Sequence, residues 1–182
     1  DLARGHDGHE DNYCPGYVRL PFVPGEDIVV AATIGEPVAD PAALWAAESE
    51  RRRARIPCGA LDVRCILSLA ADDFLYRAPD GRPGVIAGFP WFGEWGRDTF
   101  IALPGLTLAR GDLATCGAVL AAALPYLRRG LLPNTFGRGP DDSSYNAADA
   151  GLWFARAVQL YDEAGAAREE ILAGFLPALV EI

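Results

Sequence analysis

The stretch from Gly88 to Gly105, GFPWFGEWGRDTFIALPG, brings aromatic and charged side chains together within eighteen residues. Trp91 and Trp95 can cover the apolar C–H face of a pyranose ring. Arg97 and Asp98 can form charge-assisted hydrogen bonds to sugar hydroxyls, because a planar guanidinium and a carboxylate both suit such partners. These residue types at this spacing indicate a carbohydrate-binding surface.

Asp98 has a second interpretation, as the N-cap of a helix predicted over Thr99–Arg110. A carboxylate at that position accepts backbone N–H bonds and meets the positive end of the helix. Hydrolysis of a glycosidic bond generally takes two carboxyl groups. The spacing of Glu94 and Asp98 does not assign them as that pair, so capping and sugar contact both remain open for Asp98.

A second irregular segment, Leu131 to Tyr145, also precedes a predicted helix. Asn146 is placed to cap that helix over Ala147–Glu163, and Asp149 falls in its first turn. Tyr145, Asn146 and Asp149 are donors and acceptors of the kind that bind sugar hydroxyls, but spacing alone favours capping and dipole stabilisation as the explanation of Asn146 and Asp149. If both long loops lie at one end of the helices, their polar residues line one cleft.

Composition excludes several functional classes. The 182-residue chain carries a net charge of −9, which argues against nucleic acid as a partner. It contains no lysine, so a P-loop or Schiff-base lysine is absent. The longest apolar run, Leu113 to Leu127, is shorter than the ~20 residues of a membrane span. The four cysteines lack C-x-x-C spacing, which indicates no metal site and favours free thiols in the cytoplasm.

Hydrophobic periodicity predicts a mainly α-helical chain in which helix pairs are joined by alternately short and long loops. Two β-strands are expected near the start and are interpreted as the end of an upstream β-domain. The strands are predicted over Tyr17–Phe22 and Ile28–Ala32, and the helices over Ala42–Arg55, Gly59 or Ala60 to Arg77, Thr99–Arg110, Leu113–Arg129, Ala147–Glu163 and Ala166–Val180.

Three motifs in order, GFPWFGEWGRDTFIALPGLTLARGDL, GLLPNTFG and SSYNAADAGLWFARAVQLY, resemble the C-terminal domain of the bacterial glycogen debranching enzyme family, the amylo-α-1,6-glucosidases. The match is dense from about Ile86 to Tyr161. More weakly, YCPGYVRLPFVPGEDIVVAATI is similar to the end of the β-sandwich domain that precedes the catalytic domain in that family.

The resemblance implies a six-hairpin (α/α)6 barrel, a glucoamylase-like toroid, of which about the first half is expected here. The domains are then residues 1–36, the end of an N-terminal β-sandwich; residues 37–58, a linker and helix; and residues 59–182, the first half of the glucosidase domain. The general acid and base of the family are expected beyond Ile182, so we expect this chain to be inactive alone.

By analogy within related barrels, the resemblance implies that Trp95, Arg97 and Asp98 bind the terminal glucose and that Tyr145, Asn146 and Asp149 line the same pocket. The implied reaction is hydrolysis of α-1,6 branch points of glycogen or branched dextrin with inversion, without metal or organic cofactor. The full set of expected substrate-binding residues is Trp91, Trp95, Arg97, Asp98, Tyr145, Asn146 and Asp149.

Two other classes stay open at this point. One is another α/α-barrel exo-glucosidase, of the glucoamylase or trehalase type. The other is a non-catalytic helical module that binds sugar or protein. The sequence leaves the oligomeric state and the preferred α-glucan undetermined.

Overall fold

The computed structural model describes residues 5, 9, 11, 13–14, 16–55 and 62–182. The chain divides into two compact units, Asp1–Glu50 and Arg51–Ile182. The predicted domain boundary near residue 58 lies outside the described residues. The predicted domain limits stay predictions.

The prediction of two strands in the first unit is wrong. Neither Tyr17–Phe22 nor Ile28–Ala32 is a strand in the structure, and a turn at Pro24–Gly25 lies between them. The side chains of Tyr17 and Val30 are 95% and 72% exposed. A strand exists only where its backbone groups pair with a neighbour, and β-favouring side chains alone do not supply one.

The first helix is confirmed. It runs over Pro41–Ala54 as α1. The carboxylate of Asp40 accepts the backbone N–H of Ala43 at 2.9 Å, and Pro41 occupies the first helical position.

The predicted second helix is too long at its C-terminal end, and its predicted start lies outside the described residues. Helix α2 covers Val63–Asp72, after which strands β1 (Leu75–Arg77) and β2 (Pro83–Val85) form an antiparallel hairpin. A hairpin forms here instead of a longer helix because the intervening Pro-Asp-Gly segment makes a turn, in which Gly81 has a φ of +87°. The helical prediction through Arg77 rested on hydrophobic periodicity and did not anticipate strand β1.

The remaining helices exist where predicted, but with shifted ends. Helix α4 stops before Pro125 and gives way to a 3-10 turn, because proline cannot donate the next helical hydrogen bond. The last predicted helix contains a π-helical turn. The bounds are α3 Gly96–Leu106, 3-10 Leu108–Arg110, α4 Leu113–Ala123, 3-10 Leu124–Tyr126, 3-10 Pro140–Asp142, α5 Asp149–Glu163, α6 Arg168–Glu170, π Ile171–Phe175 and α7 Leu176–Glu181.

The core of the second unit holds α3, α4, α5 and the last helical segment together. Phe100 of α3 packs edge-on against Phe154 of α5, with ring centroids 5.2 Å apart, and Phe154 packs against Phe175. Leu103 and Leu120 are fully buried beside them. This packing fixes the N-termini of α3 and α5, where the polar motifs lie. Within the described ranges, no helix combines the length and apolar character needed to cross a bilayer.

Candidate functional site

An open cleft of about 580 Å³ lies where the starts of α3 and α5 meet the loops that precede them. Its floor and walls therefore come from both sequence motifs, as the loop-and-helix alternation predicted. The lining residues are Ala87, Phe92, Trp95, Arg97, Asp98, Asn134, Asn146, Ala147, Ala148 and Asp149.

The prediction that Asp98 caps a helix starting at Thr99 is wrong. Helix α3 begins at Gly96, and Trp95 takes the N-cap position without a side-chain cap bond. Asp98 therefore falls in the first turn, where it is exposed and lines the cleft. Its carboxylate has no hydrogen bond or ion pair with any residue in the described part of the chain.

Arg97 and Asp149 join the two helix starts through a two-point ion pair. The Nε atom of Arg97 lies 2.8 Å from Oδ2 of Asp149, and Nη2 lies 3.1 Å from Oδ1. Both side chains are well exposed, so the pair contributes little to folding free energy, at most about 1 kcal/mol. Its consequence is geometric, because the paired geometry holds both side chains in fixed orientation at the cleft.

Asn146 is not the helix cap that the sequence predicted. Helix α5 begins at Asp149 with Ala148 at the N-cap position, so Asn146 lies in the loop before it and lines the cleft. Asp149 is the first helical residue. It lies at the positive end of α5 and faces the cleft.

The edge of the cleft is a short backbone ladder between the two motifs. Gly96 donates its N–H to the carbonyl of Asn134 at 2.9 Å, and Phe136 donates to the carbonyl of Glu94 at 3.0 Å. A Cβ atom on Gly96 would lie 2.0 Å from the carbonyl oxygen of Pro133, so the close approach requires glycine. This ladder sets Trp95 and Asn134 side by side on the cleft.

Five lining residues were missing from the predicted set: three alanines, one aromatic residue and one amide. Phe92 stacks on Trp95, with ring centroids 6.0 Å apart and an interplanar angle of 23°. Asn134 lies within the GLLPNTFG motif, where a polar side chain between Pro133 and Thr135 was the available signal. Phe92 widens the aromatic face, and Asn134 adds an amide to the hydrogen-bonding groups.

Two predicted residues do not line this cleft. Trp91 is 83% exposed on the preceding loop. Tyr145 donates its hydroxyl to the carbonyl of Tyr126 at 2.8 Å, and its ring lies 5.7 Å from the guanidinium of Arg128. Their predicted sugar contacts therefore stay predictions, whereas Trp95, Arg97, Asp98, Asn146 and Asp149 are brought together.

Glu94 points away from the cleft into the protein. Its carboxylate accepts the Tyr76 hydroxyl at 2.8 Å and pairs with Arg82 at 2.7 Å. Burial, together with the charge of Glu94, raises the pKa of Tyr76 to about 12. A carboxylate already bound by two donors behind the cleft is not placed to transfer a proton within it.

The cleft combines charged, amide and aromatic side chains. Among the residues that the structure describes, no three His, Cys, Asp or Glu side chains come together where they could hold a metal ion. Two carboxylates, an amide-bearing edge, a guanidinium and a stacked aromatic pair are the groups that recognise hydroxyls and C–H faces.

Fold and site thus define a class of protein: a mainly helical domain with a cleft of acidic and aromatic side chains at the starts of two helices. The family described as amylo-alpha-1,6-glucosidase matches residues 69–182, and the chain belongs to this family. Glycogen debranching enzyme of Saccharomyces cerevisiae is 41% identical over 86 residues, which cover 43% of this chain and 5% of that protein. The chain therefore spans a small part of this relative's length. No solved structure matches the chain.

Proposed function

We propose that the cleft binds the terminal glucose unit of an α-glucan and forms the substrate-gripping part of an amylo-α-1,6-glucosidase active site. The observation that carries this is Asp98, an exposed carboxylate without a protein partner in the described chain, beside the Arg97–Asp149 pair and the Trp95 face. An unpaired acceptor next to a fixed guanidinium suits vicinal hydroxyls, and the indole suits the C–H face of the ring.

Family membership supports a wider proposal about architecture and reaction. We propose that the helices form part of an (α/α)6 barrel and that the substrate is an α-1,6 branch point of glycogen or branched dextrin. Inverting hydrolysis needs an acid and a base separated widely enough to admit water. Within the described residues the cleft has only two carboxylates, those of Asp98 and Asp149, and the Asp149 carboxylate is paired with Arg97. These residues therefore supply sugar binding, and the acid–base pair is not assigned to them.

A non-catalytic sugar-binding module is the second candidate, and the Arg97–Asp149 ion pair favours it. A cleft in which one of the two carboxylates is already paired with an arginine can bind sugar without cleaving it. Glucose release from a branched dextrin separates the two functions. Comparison of isomaltose, maltose and trehalose as ligands separates the α-1,6 glucosidase from the other exo-glucosidase types.

The proposal is tested by calorimetric titration of the chain with isomaltose, using Trp95→Ala and Trp91→Ala as a matched pair. Both remove an indole from the same loop, but only Trp95 lines the cleft. We expect Trp95→Ala to weaken binding about tenfold and Trp91→Ala to change it less than threefold, because one aromatic stacking contact contributes up to about 1.5 kcal/mol. Equal losses, or no binding by the unsubstituted chain, would contradict the proposal.

A further inference from the structure

A buried polar cluster lies directly behind the cleft. Tyr76 and Arg82 both bind the Oε2 atom of Glu94, at 2.8 Å and 2.7 Å. The Glu94 side chain is 4% exposed, and this is the one buried carboxylate among the described residues. Burial of a carboxylate is costly unless it is paired and hydrogen-bonded. Tyr76 and Arg82 supply the hydrogen bonds and the positive charge that offset the burial of the Glu94 carboxylate.

The surroundings of the cluster are shaped to hold it. The guanidinium of Arg82 lies 5.4 Å from the ring centroid of Tyr126 and 5.8 Å from that of Phe136. A Cβ atom on Gly84 would lie 2.9 Å from Oε1 of Glu94, so glycine leaves the space that the carboxylate fills. The cluster thereby connects the β1–β2 hairpin to the 3-10 turn that follows α4 and to the second loop.

Trp95, which lines the cleft, directly follows Glu94, so the two residues share one backbone segment. The carbonyl of Glu94 accepts the N–H of Phe136 at 3.0 Å, and Trp95 pairs with Thr135 in an antiparallel bridge. Successive side chains in extended backbone point to opposite sides. Glu94 accordingly points into the protein while Trp95 lines the cleft, so the same segment is fixed on one side and presents its indole on the other.

We propose that Glu94 is a positioning residue that sets the orientation of Trp95 on the sugar-binding face through the Tyr76–Arg82–Glu94 cluster. The part that concerns sugar rests on the proposed function. Glu94 touches no ligand in this account. Its effect passes through the backbone ladder and the indole, so the emission of Trp95 reports it even without sugar.

The test compares Glu94→Gln with Glu170→Gln. Glu170 is a matched control because it also accepts a tyrosine hydroxyl, that of Tyr161 at 3.0 Å, whereas neither of its chain neighbours lines the cleft as Trp95 does beside Glu94. Trp95 emission is isolated by subtracting the spectrum of the same protein with Trp95→Phe, and isomaltose affinity is measured by calorimetry. We expect Glu94→Gln to shift Trp95 emission and acrylamide quenching and to weaken isomaltose binding roughly tenfold. Glu170→Gln should change neither the Trp95 signal nor the affinity, since the glutamine side chain still offers an oxygen to the Tyr161 hydroxyl.

The inference is overturned if folded Glu94→Gln keeps the Trp95 signal and the affinity of the unsubstituted protein, or if Glu170→Gln shifts both equally. If Glu94→Gln does not fold, Tyr76→Phe decides, because it removes one hydrogen bond to Glu94 and keeps the ion pair. Tyr76→Phe should then shift Trp95 emission relative to the unsubstituted protein, and an unchanged signal contradicts the inference. Absence of isomaltose binding by the unsubstituted protein defeats the proposed function alone, since Trp95 emission still tests the positioning.

Discussion

Gly96→Ala tests whether the contact between the two motifs builds the cleft. The new methyl group would lie 2.0 Å from the carbonyl oxygen of Pro133 and 3.4 Å from the Cβ atom of Ala150. The oxygen belongs to the backbone and has no rotamer by which to retreat. Relief therefore requires the second loop to move away from the start of α3, which breaks the Gly96–Asn134 hydrogen bond.

The expected loss follows from three contributions. Overpacking of a tight contact costs about 1–3 kcal/mol, at the upper end here. The lost hydrogen bond costs about 1 kcal/mol. Alanine returns about 1 kcal/mol through its helix propensity. The net change is a loss of about 3 kcal/mol, which lowers the melting temperature by roughly 6–12 °C for a chain of this size.

Gly105→Ala is the control, since it lies in the same helix and a Cβ atom there meets nothing within 4 Å. We expect it to be neutral or to raise stability by up to about 1 kcal/mol. Thermal unfolding followed by circular dichroism measures both variants. Equal melting temperatures for Gly96→Ala and Gly105→Ala would refute the reasoning, because they would show that the close approach at Pro133 does not constrain the fold.

Two further predictions concern charge. Asp98→Asn should weaken isomaltose binding about tenfold with little change in melting temperature, because the carboxylate stabilises no protein contact in the described chain. Asp141→Asn, which loses an exposed pairing with Arg128 outside the cleft, should leave calorimetric affinity unchanged, and a similar loss there would contradict the site. Stability should fall as pH rises from 10 to 12. The pKa of Tyr76 is about 12 in the fold against 10.0 for an ordinary tyrosine, so the unfolded chain loses this proton first. Tyr76→Phe should flatten that part of the melting profile, and an unchanged slope would count against the burial of this hydroxyl.

The sequence predicted the helices better than their ends. Two helices whose starts are capped locally, by the carboxylates of Asp40 and Asp112, begin within one residue of their predicted starts. The caps expected at Asp98 and Asn146 were wrong because both helices start elsewhere. Tertiary contacts fix those starts, with Gly96 tied to Asn134 and Arg97 tied to Asp149, and local pattern contains no information about them.

The candidate site was predictable in its composition but not in its geometry. Residue types placed Trp95, Arg97 and Asp98 near a second polar motif, and the structure brings the motifs together. The separation of Trp95 from Trp91 was not readable from sequence, because neighbouring aromatics look alike until backbone pairing assigns each one a side. Glu94 was equally ambiguous, since only the fold reveals the hairpin that supplies Tyr76 and Arg82.

The most direct test of the central claim is an isomaltose titration followed by ¹H–¹⁵N NMR of the indole N–H groups. The chain has four tryptophans, and only one of them, Trp95, lines the cleft. We predict that the Trp95 indole signal moves with saturable dependence on isomaltose, at a Kd on the order of millimolar, while those of Trp91 and Trp153 stay in place. A Trp95 signal that does not move, or a larger shift at Trp91, would contradict the account.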